Sequence, residues 1–290
     1  MANLKEVRNR IDSVKSTMQI TSAMKMVSAA KLRRAQDAIV KMRPYAQKLG
    51  EVLSSLTSSL SGDESPFAQE REVKNILVVA ITSNRGLCGG FNSNVIKGTK
   101  AFIEANPDAN IEVLGLGKKS REGFRNSGMV AQGFRDNHDD LYDDLSFSNV
   151  SIVADQIMER YTSEELDRVI LIYNRFKNAA VQILEVEDFL PVPQPEQTED
   201  AGHSIDFILE PSREEIIQEI IPSSLRVQLF KAMLDSHASE HGARMTAMHK
   251  ATDNADDILQ DLKLSYNKAR QAAITGEILE IVGGAEALNG

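Results

Sequence analysis

Neither glycine nor proline occurs between Leu4 and Arg43, and between Ser223 and Val282 only Gly242 and Gly276 break a run free of proline. Turns need the backbone freedom of glycine or the preset angle of proline, so their absence over such lengths excludes tight loops from both ends of the chain. At ~1.5 Å per residue, a helix over residues 4–59 would run about 80 Å and one over 223–288 about 100 Å, too long to pack within a domain of this size. Each end therefore needs the other end, or a partner, to cover its apolar face. Cysteine is nearly absent: Cys88 alone excludes an intrachain disulfide and offers no zinc-type spacing, which suits a reducing compartment. Long hydrophobic runs are missing too. The strongest, Ile76 to Ile81, falls far short of the ~20 residues of a membrane span, and the amino terminus lacks a signal-peptide core. Direct membrane insertion is not expected.

What is present is 290 residues with 26% charged and 42% hydrophobic side chains, a composition that supports a folded core. The net charge of −9 hides an asymmetry. Residues 1–60 hold 11 Lys/Arg against 4 acids, and the remainder 22 against 38. A basic helix beside an acidic body suits nucleic acid or an acidic protein surface. The basic residues are spread along the helix without aromatics or a binding module, so an acidic protein groove fits better and no nucleic-acid partner is expected.

Leu4, Val7, Ile11, Val14 and Met18 alternate at spacings of three and four, a coiled-coil stripe, and Ile20, Met24 and Val27 continue an apolar face after a shift in phase. The other end carries Leu234, Ala238, His241, Met245, Met248, Thr252, Ala255, Leu259, Leu262, Tyr266, Ala269 and Ala273 in unbroken alternation. An ordinary core helix needs neither eleven such steps nor so many small residues. An intrachain coiled coil, antiparallel or crossing, follows, with a parallel homodimer as the alternative. Beyond it, Ile274, Ile278, Leu279, Ile281 and Val282 spread over more than one side of the helix, as expected of a tip enclosed by a partner.

Residues 70–211 read as an α/β domain. Asn75–Thr82 is a continuous apolar strand followed by the turn Asn84–Gly90 and a helix from Phe91 to about Asn106. Further strands are expected at Ile111–Gly115, Met129–Phe134, Asp167–Tyr173, Val181–Glu187 and Ile205–Leu209, with helices at Lys118–Asn126 and Phe147–Tyr161. The order gives a small doubly wound sheet between an N-terminal helix of residues 1–60 and a C-terminal helix of residues 212–290. Pro191–Gly202 reads as a surface loop.

Three features invite an enzymatic reading. The turn Arg85–Gly90 lies where a dinucleotide fold would hold a pyrophosphate, yet the glycine spacing does not match G-x-G-x-x-G, and Gly115, Gly117 and Lys118 resemble a phosphate loop only in composition. His237 and His241 share a helix face without an evident third metal ligand. Asp256–Asp257 and Asp139–Asp144 lack a partner base, and no nucleophile stands beside one. No catalytic, cofactor or metal residue is assigned.

The segments Ile20–Gln36 (ITSAMKMVSAAKLRRAQ), Arg43–Ala46 (RPYA), Arg85–Asn92 (RGLCGGFN), Ala243–Ile258 and Tyr266–Leu288 closely resemble the gamma subunits of F-type ATP synthases, in order and over essentially the whole chain. The resemblance implies a non-catalytic rotor shaft: paired end helices inside the ring of alpha and beta subunits, and an α/β domain below on the epsilon subunit and the membrane ring of c subunits. Proton flow would turn the c ring and the shaft, driving each beta site through states of different nucleotide affinity. By motif, Met24, Lys25, Arg244, Gln271, Thr275 and Glu277 resemble beta-subunit contacts. Arg244 and Gln271 lie off the heptad stripe and are free to point outward. Ile205–Pro211 resembles the segment facing epsilon and the c ring, with Phe207 and Glu210 as candidates. Plastid members carry an inserted cysteine pair; Cys88 stands alone, so thiol regulation of that kind is not expected. The resemblance starts at Ala2–Lys5, which leaves no transit peptide and implies a peripheral subunit on the cytoplasmic face of a bacterial inner membrane.

Overall fold

A computed structural model describes residues 4–57, 66–69, 71–134, 138–192 and 213–289. The strand expected at Ile205–Leu209, and with it Phe207 and Glu210, lies outside the described residues. The chain forms two compact units, one of Met1–Ser28 with Met245–Gly290, the other of Ala29–Arg244.

Two helices run through both units, α1 (Leu4–Thr57) and, at the far end, a helix over Arg213–Asn289. Pro44 lies inside the first and Pro222 inside the second. The second therefore begins ahead of the proline-free run that starts at Ser223. Its early turns bury Ile221, Leu225 and Leu229 at spacings of four against the sheet, which offsets the roughly 3 kcal/mol of an interior proline.

In the larger unit, β1 (Asn75–Ile81) pairs in parallel with β2 (Asn110–Leu116) on one side and β3 (Arg168–Phe176) on the other, and β4 (Gln182–Leu190) adds antiparallel to β3, giving the order β2-β1-β3-β4. β1 is buried from Ile76 onward, as its unbroken apolar run requires of a central strand. Helices α2 (Phe91–Ala105) and α3 (Lys118–Phe124) cover one face, where Ile76, Val78, Ala80, Ile170 and Ile172 meet Val95 and Phe124. On the other face, α4 (Phe147–Thr162) and residues 221–233 of the C-terminal helix, α5 (Arg213–Asn289), pack on Leu77, Val79, Ile81 and Leu171. Ser146 caps α4, its hydroxyl accepting from the Asn149 backbone N–H.

The expected strand at Met129–Phe134 is reduced to one bridge between Val130 and Val113. Gly133, at φ 89°, sits inside that segment, and a left-handed residue interrupts the extended backbone of a strand. The other four expected strands and three short helices within the described residues stand within a few residues of their sequence limits.

In the smaller unit the seam is intrachain, and its α1 side keeps a single phase. Leu4, Val7, Ile11, Val14 and Met18 are half-buried, and the stripe continues through buried Thr21 and Ser28. Ile20 and Val27, expected to carry the apolar face, are 60% and 58% exposed. On α5, Met248, Ala255 and Leu259 are buried and Thr252, Leu262, Tyr266, Ala269 and Ala273 half-buried, as their alternation predicts.

Candidate functional site

The sheet reverses its winding direction at β1, and in open α/β sheets the crevice beyond that strand is where ligands bind. Here the chain fills the crevice itself. The Asn84 side-chain oxygen accepts from the Lys118 backbone N–H at 3.0 Å, the Ser83 carbonyl from the Lys119 N–H at 3.2 Å, and the Thr82 hydroxyl from the Ser120 N–H at 2.8 Å. Those three N–H groups open α3 and are the donors a phosphate would need. Gly117, at φ 113°, brings the backbone so close that a Cβ there would lie 2.2 Å from the Thr82 carbonyl oxygen. The glycines after β2 thus serve strand-to-helix packing.

The turn after β1 is equally occupied. The Ser83 hydroxyl donates to the Arg85 carbonyl at 2.6 Å, and the Asn92 side chain spans the Ser83 N–H and hydroxyl and the Cys88 sulfur. Burial pushes the Cys88 thiol up, against the pull of Arg244. Leu87 takes φ 61° and is 64% exposed.

A cavity of about 170 Å³ lies beside β2, lined by Val113, Gly115, Phe124, Phe134 and the Arg121–Asp139 ion pair. Small-molecule pockets run to about 300–1,000 Å³, so it is too small for a nucleotide.

On α5, His237 and His241 lie ring against ring with centroids 4.5 Å apart, and Tyr142 stacks on His237. Burial, with Lys31 and Arg244 nearby, lowers His237 to about 4; burial, then His237, Arg244 and Lys31, lower His241 to about 3. Among the described residues no three His, Cys, Asp or Glu side chains converge on a metal position.

Of the candidate contact residues, Met24 and Lys25 are half-buried on α1, and Gln271, Thr275 and Glu277 are exposed on α5, all in the smaller unit. Gln271 points outward, as its place off the stripe predicts. Arg244 does not: it is 7% exposed, in the larger unit. Its guanidinium donates to Glu240 Oε1 at 2.6 Å, to the Arg85 carbonyl at 3.1 Å and to the Gly86 carbonyl at 3.2 Å. Heptad phase reports only which residues face the partner helix, and a residue off the seam can still face a third element. The sequence signal that could have found this contact is the pair Glu240 and Arg244 at i, i+4. Beyond Ala273, Ile274, Ile278, Leu279, Ile281 and Val282 are all exposed, Ile281 by 71%. No helix among the described residues is long and apolar enough to cross a membrane.

An α/β unit whose ligand crevice is closed by its own backbone and side chains, and a second unit of paired terminal helices in which the C-terminal one ends with bare apolar side chains, define a subunit built for a larger assembly. The ATP synthase family model matches residues 3–288. ATP synthase gamma chains of Flavobacterium johnsoniae and Christiangramia forsetii are 57% and 56% identical, each over the full length of both chains. The chain belongs to the gamma-subunit family of the F-type ATP synthases, the central-stalk subunit. Among solved structures, a chain of the Euglena gracilis mitochondrial ATP synthase covers 98% of this chain and 94% of its own at 22% identity and TM-score 0.67, a likeness of fold. A central-stalk chain of the Tetrahymena thermophila enzyme is 26% identical, covering 80% of this chain and 99% of its own, at TM-score 0.58.

Proposed function

We propose that this chain is the rotating shaft of an ATP synthase, doing no bond chemistry itself and coupling proton flow through a c-subunit ring to nucleotide chemistry in an alpha/beta ring. The observation that carries this reading is the end of α5, where five large aliphatic side chains stand exposed along one broad face of the helix. A bare apolar face of that extent marks a surface that a partner covers. In the proposed arrangement, residues 1–60 and 212–290 form the shaft within the alpha/beta ring and residues 70–211 the body on the epsilon subunit and c ring. An asymmetric shaft cannot meet three equivalent beta sites alike, so its rotation turns differential contacts into differences in nucleotide affinity.

Met24, Lys25, Gln271, Thr275 and Glu277 are assigned to the beta contact, with Arg244 contributing from within the chain. Phe207 and Glu210 are assigned to the epsilon and c-ring contact. The exposed cations Lys31, Arg33 and Arg34 suit an acidic segment of the beta subunit. Exposed ion pairs contribute only about 0.2–1 kcal/mol each, which favours a surface that slides. The complex would hold the chain peripherally at the cytoplasmic face of a bacterial inner membrane. The test is MgATP hydrolysis by purified alpha and beta subunits with and without this chain, beside the chain alone. Activity confined to the mixture, with one copy of the chain per ring, is expected; substantial hydrolysis or tight nucleotide binding by the isolated chain overturns the reading.

A further inference from the structure

Arg244 is the last residue of the larger compact unit, and α5 continues from Met245 into the smaller one. In the residues just before that point, α5 is tied to the α/β body by polar contacts rather than by apolar packing alone. The Ser239 hydroxyl donates to the Asn174 carbonyl at 2.9 Å, and the Asn174 side chain donates to the Phe91 carbonyl at 3.0 Å, linking α5, β3 and α2 in sequence. Gly242 allows Ala179 to approach closely, a Cβ at position 242 falling 3.2 Å from the Ala179 Cα. Ala243 packs on Cys88 and Phe91. Arg244 then closes the set, its Nε and Nη2 donating to the Arg85 and Gly86 carbonyls while Nη1 faces Glu240 and His241 Nδ1.

This use of the guanidinium exploits its planar fork, which an ammonium cannot reproduce. The ion pair with Glu240 holds the fork in place on its own helix. Burial pushes the Glu240 carboxyl up against the opposing pull of the Arg244 charge and hydrogen bond, so removing either partner would leave the other's polar groups buried without their match.

We propose that Arg244, held by Glu240, is a positioning residue for coupling: it locks the turn Arg85–Leu87 to α5 where the helix leaves the α/β body, so that twist on α5 passes to the sheet through this turn. The proposal rests on the rotor reading. Slippage between helix and body would dissipate rotation before it reached the sheet, and a fork of directional hydrogen bonds to a fixed turn adds to the core packing a restraint on rotation about the helix axis.

Cys88, the chain's one cysteine, lies buried within the same turn and reports its opening. In the full-length chain, Arg244→Gln should speed reaction of this thiol with an aromatic disulfide reagent by about tenfold or more, and Arg244→Lys should fail to restore protection. A core variant, Val78→Ala, lowers overall stability without touching the turn and should leave the thiol slow. In the reconstituted, membrane-embedded complex, Arg244→Gln should lower protons pumped per ATP hydrolysed while the KM for MgATP stays at its wild-type value. A residue with a merely structural role would shift the melting temperature and leave that ratio unchanged. A thiol rate in Arg244→Gln equal to wild type, or a Val78→Ala rate equally raised, overturns the lock. A fast thiol with an unchanged pumping ratio overturns the coupling role. Failure of the wild-type chain to activate alpha and beta subunits would strike the rotor reading instead, and the thiol assay on the isolated chain would still read the lock.

Discussion

The Thr252 hydroxyl lies 2.9 Å from the Thr21 hydroxyl across the seam between the two helices of the smaller unit, and each oxygen also meets a carbonyl of its own helix, Met248 and Met18 respectively. A polar pair in an otherwise apolar seam favours one axial register, because sliding by one step would set each hydroxyl against a methyl or methylene group. Single replacement, Thr21→Val or Thr252→Val, removes the cross-helix bond, and the double replacement removes both polar groups together. A coupling energy of about 0.5–1.5 kcal/mol is expected from a double-mutant cycle in urea denaturation. Additive single effects would mean that the pair does not set register.

Gly117 and Gly128 both adopt left-handed backbone, at φ 113° and 70°, yet only the first is crowded. Gly117→Ala drives a Cβ against the Thr82 carbonyl and should cost about 3 kcal/mol or more, opening the contacts between β1 and the start of α3. Gly128→Ala meets open space and should cost only the backbone term, about 1–2 kcal/mol. Thermal unfolding of the two variants should rank them in that order.

His237 and His241 titrate at about 4 and about 3 in the folded chain, against about 6.5 when unfolded. Over that interval the unfolded chain binds protons that the folded chain does not. Their contribution is thus fully present above pH 6.5 and is lost as pH falls toward 4. His237→Phe keeps the stack on Tyr142 and removes one of the titrating rings. It should flatten the fall in stability between pH 7 and pH 4.5 by on the order of 2 kcal/mol, read from urea midpoints across that range.

Asp235 behaves in the opposite sense. Burial, with the negative Glu187 nearby, raises it to about 6 despite Lys231, Arg175 and Arg43. Its folded-state value exceeds its unfolded one, so its contribution is present below about pH 4 and is lost as pH rises through 6. Asp235→Asn should therefore gain on the wild type between pH 5 and pH 8, by on the order of 2 kcal/mol, and the same urea series checks it.

Much of this architecture is legible in the sequence because it rests on periodicity. A buried central strand such as β1 announces itself by an unbroken apolar run, and the α5 stripe by its alternation from Met245 to Ala273. Periodicity misled where small polar residues occupy a seam. Thr21 and Ser28 keep phase with Met18, but Ile20 and Val27 are more hydrophobic and drew the stripe toward the exposed face. Ser28 is accommodated because its hydroxyl donates to the Met24 carbonyl at 2.8 Å and so carries no unpaired donor into the seam. Arg244 was only partly legible. Its pairing with Glu240 at i, i+4 can be read from the spacing, but its other partners are backbone carbonyls more than 150 residues away, and a carbonyl contact leaves no trace in side-chain pattern. The likeness of the Arg85–Gly90 turn to a pyrophosphate loop was resolved only by geometry, since the same glycines serve close packing and ligand approach alike.

The exposed end of α5 gives the most direct test of enclosure. Ile274, Ile278, Leu279, Ile281 and Val282 contribute little to the folding of the isolated chain, because their side chains are already in water. Replacing Ile278 and Ile281 together by serine should leave unfolding of the α/β body unchanged within about 0.5 kcal/mol. Burial within a ring would instead be worth about 1.5–3 kcal/mol per side chain, so the same double variant should weaken association with alpha and beta subunits by roughly two orders of magnitude or more. Removal of residues 273–290 should deepen the loss of assembly and of coupled pumping while the sheet stays folded. If the serine variant assembled and pumped as the wild type does, these side chains would not be enclosed and the argument from bare apolar surface would fail.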